Sequence, residues 1–351
     1  MKSLTTYINE KMVYTKASAF KYHPKTNEEL KDLMEQLIKE RGNNGNFNDI
    51  DTSEITDMSE LFKNMKEFNG DISDWDVSNV TNMKYMFCQC ESFNQPLNDW
   101  DVSNVTNMHR IFDHCKSFNQ PLNKWNVSKV EKMTGMFCSC ESFNQDISNW
   151  DVSKVTDMVN MFAGCTLFNQ PLNNWIVSKV ENTGCMFSGC HSFNQPLDKW
   201  DVSNVTNMHG MFCSCESFNQ DISNWDVSSV TNMERMFEYC ETFNKPLNDW
   251  NVFKVTCMLC MFSGCVIFNQ DLSEWNVSNV TTMERMFKGC KSFNKPLDKW
   301  DISNVNYMSE MFKECKSFNQ DLSKWDVSNA KYNYSMFDAC PIENKYKPKF
   351  Y

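Results

Sequence analysis

Phe93–Cys115, FNQPLNDWDVSNVTNMHRIFDHC, is one period of a pattern that returns every 25 residues, and its reading decides the fold. All eleven tryptophans fall on that grid, from Trp75, Trp100 and Trp125 to Trp300 and Trp325. A fixed period of this length makes each unit one coil of a solenoid, which buries its apolar side only by stacking on neighbours. A stack escapes the ceiling of roughly 250–300 residues on a single compact core, so the 351-residue chain reads as one elongated domain. Its expected parts are an N-terminal lead (1–25), an amphipathic capping helix and linker (26–50), the solenoid (51–340) and a C-terminal tail (341–351).

Within the quoted coil, Val105, Met108, Ile111, Phe112 and Cys115 are spaced three or four apart. That spacing predicts one apolar face of a helix of about three turns. Ser103 stands where an N-cap would. Ten of the eleven coils keep that serine, and Phe253, the exception, is expected to weaken one cap. Ahead of the helix, Leu97, Trp100 and Val102 lie in a short stretch that alternates like a half-buried strand, to be paired in parallel by stacking. The expected class is an α/β solenoid of about eleven 25-residue coils, each a short parallel strand plus a short helix.

Other columns share the grid. Eleven of the 17 cysteines follow a Trp by fifteen residues, from Cys90 to Cys340, and read as a ladder of buried reduced thiols. Bridges between coils require Cα separations near ~5–6 Å and an oxidising compartment. Asn69, Asn94 and their successors to Asn319 read as an amide ladder bonded to turn backbone, because a buried amide without partners is costly. Four residues before each Trp the chain alternates Asp (Asp71, Asp146) with Pro (Pro96, Pro121), two solutions to one turn. Calcium wants oxygen ligands, and proline interrupts the carboxylates.

The ends differ from the middle. Thr26 and Glu29 form a capping-box signature ahead of Leu30, Leu33, Met34, Leu37 and Ile38, and Gly42 stops that helix, which is expected to cover the first coil. At the far end Ala330, Asn333 and Glu343 replace core residues, and a short basic tail follows.

The repeat W-D-V-S-N-V-T-N-M, then M-F-x-x-C and S-F-N-Q, over about residues 51–340, resembles the BspA-like leucine-rich repeat surface protein family. The resemblance implies a leucine-rich-repeat-like stack and, for secreted members, adhesion to host or matrix proteins. This chain is expected to depart from them in carrying no signal peptide, anchor or additional surface module.

Composition narrows the function. A net charge of −11 without a basic run argues against nucleic acid. No stretch approaches the ~20 apolar residues that span a bilayer, and the N-terminus lacks a secretory apolar segment, so a cytoplasmic or particle-associated protein is expected. Cys257, Cys260 and Cys265 cluster, but zinc needs four convergent ligands, and Cys265 belongs to the core column. The five histidines are scattered, no phosphate loop or nucleophile elbow occurs, and neither enzyme activity nor a cofactor is expected. The sequons at Asn79 and Asn104 follow from the repeat itself.

Residues that vary between coils are the better guide. Ten residues after Trp stand Tyr85, Arg110, Asn160, Arg235, Arg285 and Glu310, read as projecting from the outer side of the helices and as candidate partner-facing positions. The function expected is a non-catalytic protein-binding scaffold. The alternatives are a self-associating component of a particle or surface layer, or an adhesin.

Overall fold

A computed structural model describes residues 20–350; most of the lead, including the expected absence of a secretory leader, lies outside these residues. The array is a stack of coils, and its coils contain no α-helix. Helical structure among the described residues is confined to α1 (Asn27–Arg41) and a 3-10 turn at Asn344–Tyr346.

The coil is instead a polygon of tight turns. In one coil the N–H of Trp100 donates to Leu97, Val105 to Val102, Ile111 to Met108, Cys115 to Phe112 and Phe118 to Cys115, at 2.9–3.2 Å. Each bond closes a four-residue turn whose first and last side chains point inward, and all nine of these residues are buried. Turns placed end to end repeat apolar residues at i and i+3, then at the next residue. That spacing imitates one face of a helix.

Backbone dihedrals separate the two. Arg110 has φ 53° and His114 φ 61°, left-handed values that no α-helix contains. Glycine takes the same two positions in some coils, Gly135 at φ 61° and Gly164 at φ 75°. The left-handed residues bring alternate peptides into line, so that the N–H groups of Met108, Arg110, Phe112 and His114 donate to Lys132, Thr134, Met136 and Cys138 of the next coil at 2.7–3.2 Å. These rungs all point toward the C-terminal end, and they replace the i→i−4 bonds of the expected helix. Backbone groups must be satisfied somewhere, and here the neighbouring coil supplies the acceptors.

The expected strand is also displaced. Leu97–Trp100 and Val102–Val105 are turns, and parallel pairing falls seven residues after Trp as single bridges, Asp57↔Asn82↔Asn107↔Lys132 and onward to Tyr307↔Tyr332. Ser103 caps no helix. Its N–H donates to Oδ1 of Asp101 at 3.0 Å, so the residue after Trp is the acceptor that makes the turn. Phe253 keeps this bond, to Asn251 at 3.2 Å, and weakens no cap.

Asp and Pro four residues before Trp act through different bonds. Asp146 accepts from the N–H of Ser148 at 2.9 Å, whereas a Pro coil places Asn98 so that its Oδ1 accepts from Lys124 of the next coil at 2.9 Å.

Three side-chain columns tie coil to coil. The Trp125 indole N–H donates to the Leu97 carbonyl at 2.8 Å, the Cys115 thiol to the Phe87 carbonyl at 3.0 Å, and Oδ1 of Asn94 accepts from the N–H of Asn119 at 2.9 Å. Between them run two phenylalanine columns, with Phe87 and Phe93 stacked at 4.2 Å within a coil and Phe87 and Phe112 at 5.5 Å between coils. Such offset stacks add to area burial. The cysteines are free thiols, and burial pushes those of the column well above their usual range.

At the N-terminal end α1 lies over the first coil with Leu30, Met34 and Leu37 fully buried and Leu33 and Ile38 at the margin. Thr26 accepts from Glu29 N–H at 3.2 Å, while the Glu29 carboxylate accepts from Lys25 N–H at 2.7 Å, one residue earlier than a capping box would have it. Gly42, at φ 78°, closes the helix onto the Ile38 carbonyl. At the other end the tail is part of the closure. Ile342 is buried, Tyr346 accepts from Leu322 N–H at 2.8 Å, and Asn319 Oδ1 accepts from Glu343 N–H at 2.9 Å.

The turn geometry predicts an unusual mutational pattern at Asn160, φ 56°. Asn160→Gly is expected to change stability by under about 0.5 kcal/mol, where a helix interior would lose ~1. Asn160→Val is expected to cost ~1–2 kcal/mol, because a β-branched residue resists the left-handed region. Urea denaturation of the three proteins checks both; a larger loss for Gly than for Val contradicts the turn.

Candidate binding face

The bridges at the seventh residue after Trp and the left-handed turn at the tenth build one continuous face along the stack. Tyr85, Arg110, Asn160, Arg235, Arg285 and Glu310 all stand on it with positive φ between 53° and 58°, so they belong to turn corners and not to the outer side of helices. Arg235 and Arg285 are exposed and the other four half-buried.

Several of these side chains are already engaged. Arg110 Nη1 meets the buried carboxylate of Asp113 at 3.2 Å. Arg235 Nε lies 3.6 Å from Glu238, whose carboxyl burial pushes up in pKa while Arg235 opposes the shift. Arg285 reaches Glu310 on the next coil at 3.1 Å, and Lys288 reaches the same carboxylate at 2.6 Å. The Lys288 hydrogen bond is the main cause that lowers Glu310 to about 2, against burial.

That shift carries a pH dependence. A carboxylate whose folded pKa is depressed stabilises the protein above its unfolded pKa, and the contribution fades as pH falls from the ordinary 4.5 toward about 2. Glu310→Gln is expected to flatten the acid limb of a stability profile in this window and leave the neutral limb with its slope unchanged. An unaltered acid limb contradicts the assignment.

The N-terminal part of the face has a different character. Tyr85 OH and His109 Nε2 are hydrogen-bonded at 3.0 Å with their rings edge to face, and Lys63 and Lys84 sit over the Tyr85 ring at 4.9 and 5.0 Å. Burial, then Arg110 and Lys84, lowers the His109 pKa. Beside them Lys84, Asn107, His109 and Lys132 line a cleft of about 420 Å³. At the C-terminal part, exposed Tyr307 and Tyr332 stack at 4.7 Å with Tyr334 beside them. Sequence reasoning named Tyr85 and Tyr307 among the varying positions and weighed His109 only for catalysis, and it passed over Lys84, Lys132, Tyr332 and Tyr334. The signal available was departure from the polar consensus seven and nine residues after Trp.

The thiols do not assemble. Cys265 donates to the Phe237 carbonyl at 2.9 Å, and among the described residues no three His, Cys, Asp or Glu side chains converge where a metal ion could be held. Asn79 and Asn104, the sequon asparagines, donate their amides to Ser53 and Ser78 of the preceding coils at 2.8 Å. No helix of the described residues is long and apolar enough to cross a membrane.

Stacked coils tied by periodic side-chain columns define a repeat protein of the solenoid type. The chain belongs to the family described as Mycoplasma protein of unknown function, DUF285, which matches residues 31–144, 122–212, 195–280 and 247–349. A comparison with curated proteins gives no match. Among solved structures, the Toll–Spatzle complex of Drosophila, a molecular hub in development and innate immunity in its glycosylated form, aligns with 85% of this chain and 42% of that one, at 11% identity and a TM-score of 0.29. This chain thus spans less than half the length of that one, and a likeness at that score bears on neither mechanism nor partner.

Proposed function

We propose that this protein is a non-catalytic scaffold that binds another protein along the face carrying the bridges and left-handed turns. The observation that supports it is the distribution of variation. Columns repeated in every coil are used up in stacking, whereas the seventh, ninth and tenth residues after Trp change from coil to coil and are at least partly accessible except at Gly135, Gly184, Gly210 and Cys260. Stacked at ~4.8 Å, eleven coils offer a face about 50 Å long. Naming the protein a BspA-like leucine-rich repeat protein, or an adhesin for host proteins, is a finer form of the same reading and rests on the repeat motif. Hydrogen exchange with a captured partner tests the scaffold: protection along the face is expected, and protection confined to the Trp side, or no partner under reducing conditions, contradicts it.

One observation favours self-association as the second reading. The N–H groups of Asn333, Ser335, Phe337 and Ala339 occupy the places from which every earlier coil donates rungs, and they have no acceptor among the described residues. At the opposite end Asn27 Nδ2 already donates to the Ser59 carbonyl at 3.0 Å. Unpaired edges invite pairing. Sedimentation at rising concentration separates the readings, since a persistent monomer counts against association.

A further inference from the structure

We infer that the cleft beside Tyr85 is an anion-recognition site, and that the partner contacts it through an acidic peptide segment. This rests on the scaffold reading and adds the chemistry of the contact.

The first observation is a pair of uncommitted cations. Lys63, Lys116, Lys124, Lys288 and Lys299 each have a carboxylate within bonding reach, but Lys84 and Lys132 have none among the described residues. Lys84 and Lys132 belong to coils two apart, and His109 lies on the coil between them. At ~4.8 Å per coil the two backbone positions are roughly 10 Å apart, a span that an extended segment of three or four residues covers. Both lysines line the same cleft, with Asn107 and Thr134 as neutral polar neighbours and Asp157 as its one acidic lining residue.

The second observation is that the surroundings hold the cations in place without neutralising them. Tyr85 carries Lys63 and Lys84 on its ring at 4.9 and 5.0 Å and fixes His109 by its hydroxyl at 3.0 Å. The ring quadrupole attracts cations but takes no charge from them. Arg110, next in the chain to His109, pairs through Nη1 with Asp113, and its Nε is buried with no acceptor. Two carboxylates bear on the patch from other coils. Glu60 is spent on Lys63 at 3.0 Å, and Asp157 lines the cleft itself, its Oδ1 accepting from Val159 N–H at 2.9 Å and no lysine of the described residues within ion-pair distance of it. In a chain of net charge −11, a cleft lined by two lysines against one aspartate is a local exception. It lets a carboxylate replace the water around Lys84 and Lys132 in charge-assisted bonds.

His109 supplies a reporter distinct from affinity. Burial, Arg110 and Lys84 disfavour its protonated form. An anion placed between the lysines reverses the electrostatic part, so His109 must bind its proton more tightly when the site is filled.

The test uses the full chain and a capped hexaglutamate peptide, with a hexaglutamine peptide, inorganic phosphate and a sulfated oligosaccharide as separate arms. Calorimetry at low salt is expected to show saturable hexaglutamate binding that weakens with added salt, and NMR titration a rise in the His109 pKa. Lys84→Gln with Lys132→Gln is expected to weaken binding at least tenfold and abolish the His109 response, with thermal stability unchanged. Equal binding of hexaglutamine, undiminished binding by the double variant, or preference for phosphate or the sulfated saccharide overturns the inference. If the double variant still captures the protein partner in full, the acidic-contact inference falls and the scaffold reading stands; if no partner protects the face at all, the scaffold reading falls by itself.

Discussion

Trp200→Ala, in the middle of the array, is expected to cost roughly 3–5 kcal/mol, the range of large aromatic truncations in a packed core. Three losses combine. Trp200 is only 4% exposed, so its removal opens a cavity between coils. Its ring stacks on Trp225 at 6.4 Å and lies 6.2 Å from Phe187, and both contacts go. Its indole N–H donates to the Leu172 carbonyl at 2.9 Å, and alanine leaves that acceptor without a partner. Trp200→Phe separates the terms: it fills most of the volume but loses the hydrogen bond, and is expected to fall between the wild type and alanine. Truncation to alanine at Trp325 is expected to cost less, because Trp325 belongs to the last coil and packing there is one-sided. Chemical denaturation of the four proteins measures this. In a stack each coil is held by its neighbours, so Trp200→Ala is also expected to split the transition into two phases. A cost at Trp200 no greater than at Trp325 would mean the columns do not carry the stability.

How far such a fold can be read from residues follows from what a period encodes. The 25-residue grid fixed which residues stack, and the buried columns of Trp, Phe and Cys, with the largely half-buried column of Asn, stand where the grid puts them. It does not encode the path between them. Met108, Ile111, Phe112 and Cys115 point inward equally well from a helix and from two consecutive turns, so spacing alone could not choose. Glycine could have chosen. Gly135 and Gly210 recur at one place in the coil, and Gly164, Gly189, Gly264 and Gly289 at another four residues on, inside a stretch a helix would not give to glycine twice. The pairing of Asp with a Ser two residues later, and of Pro with Asn or Asp, was equally visible and marked two kinds of turn.

The proposed binding face was legible only in outline. Variation picked out the seventh and tenth residues after Trp, but it could not say that Arg285 and Glu310 neutralise one another while Lys84 and Lys132 have no carboxylate partner among the described residues. Those are facts about which coil neighbours which charge. They depend on side-chain reach across the stack.

The asparagine column gives the sharpest test of how the coils are tied. Asn194 Oδ1 accepts from the N–H of Asn219 and from Nε2 of Gln220, each at 2.9 Å, and Asn194 in turn donates its own N–H to Asn169. Asn194→Ala leaves the Asn219 N–H, half-buried between coils, without an acceptor. The expected cost is ~1–3 kcal/mol, the desolvation penalty of an unpaired donor, and Gln220 is expected to lose order with it. Asn194→Asp keeps an oxygen in the same place and is expected to recover most of the loss. Amide exchange supplies the local readout, since the Asn219 N–H should lose protection in the alanine protein and keep it in the aspartate protein. A surface asparagine with no structural part would give under about 0.5 kcal/mol for either change. Equal small effects would therefore show that the column is decoration, and that Trp, Phe and Cys hold the stack without it.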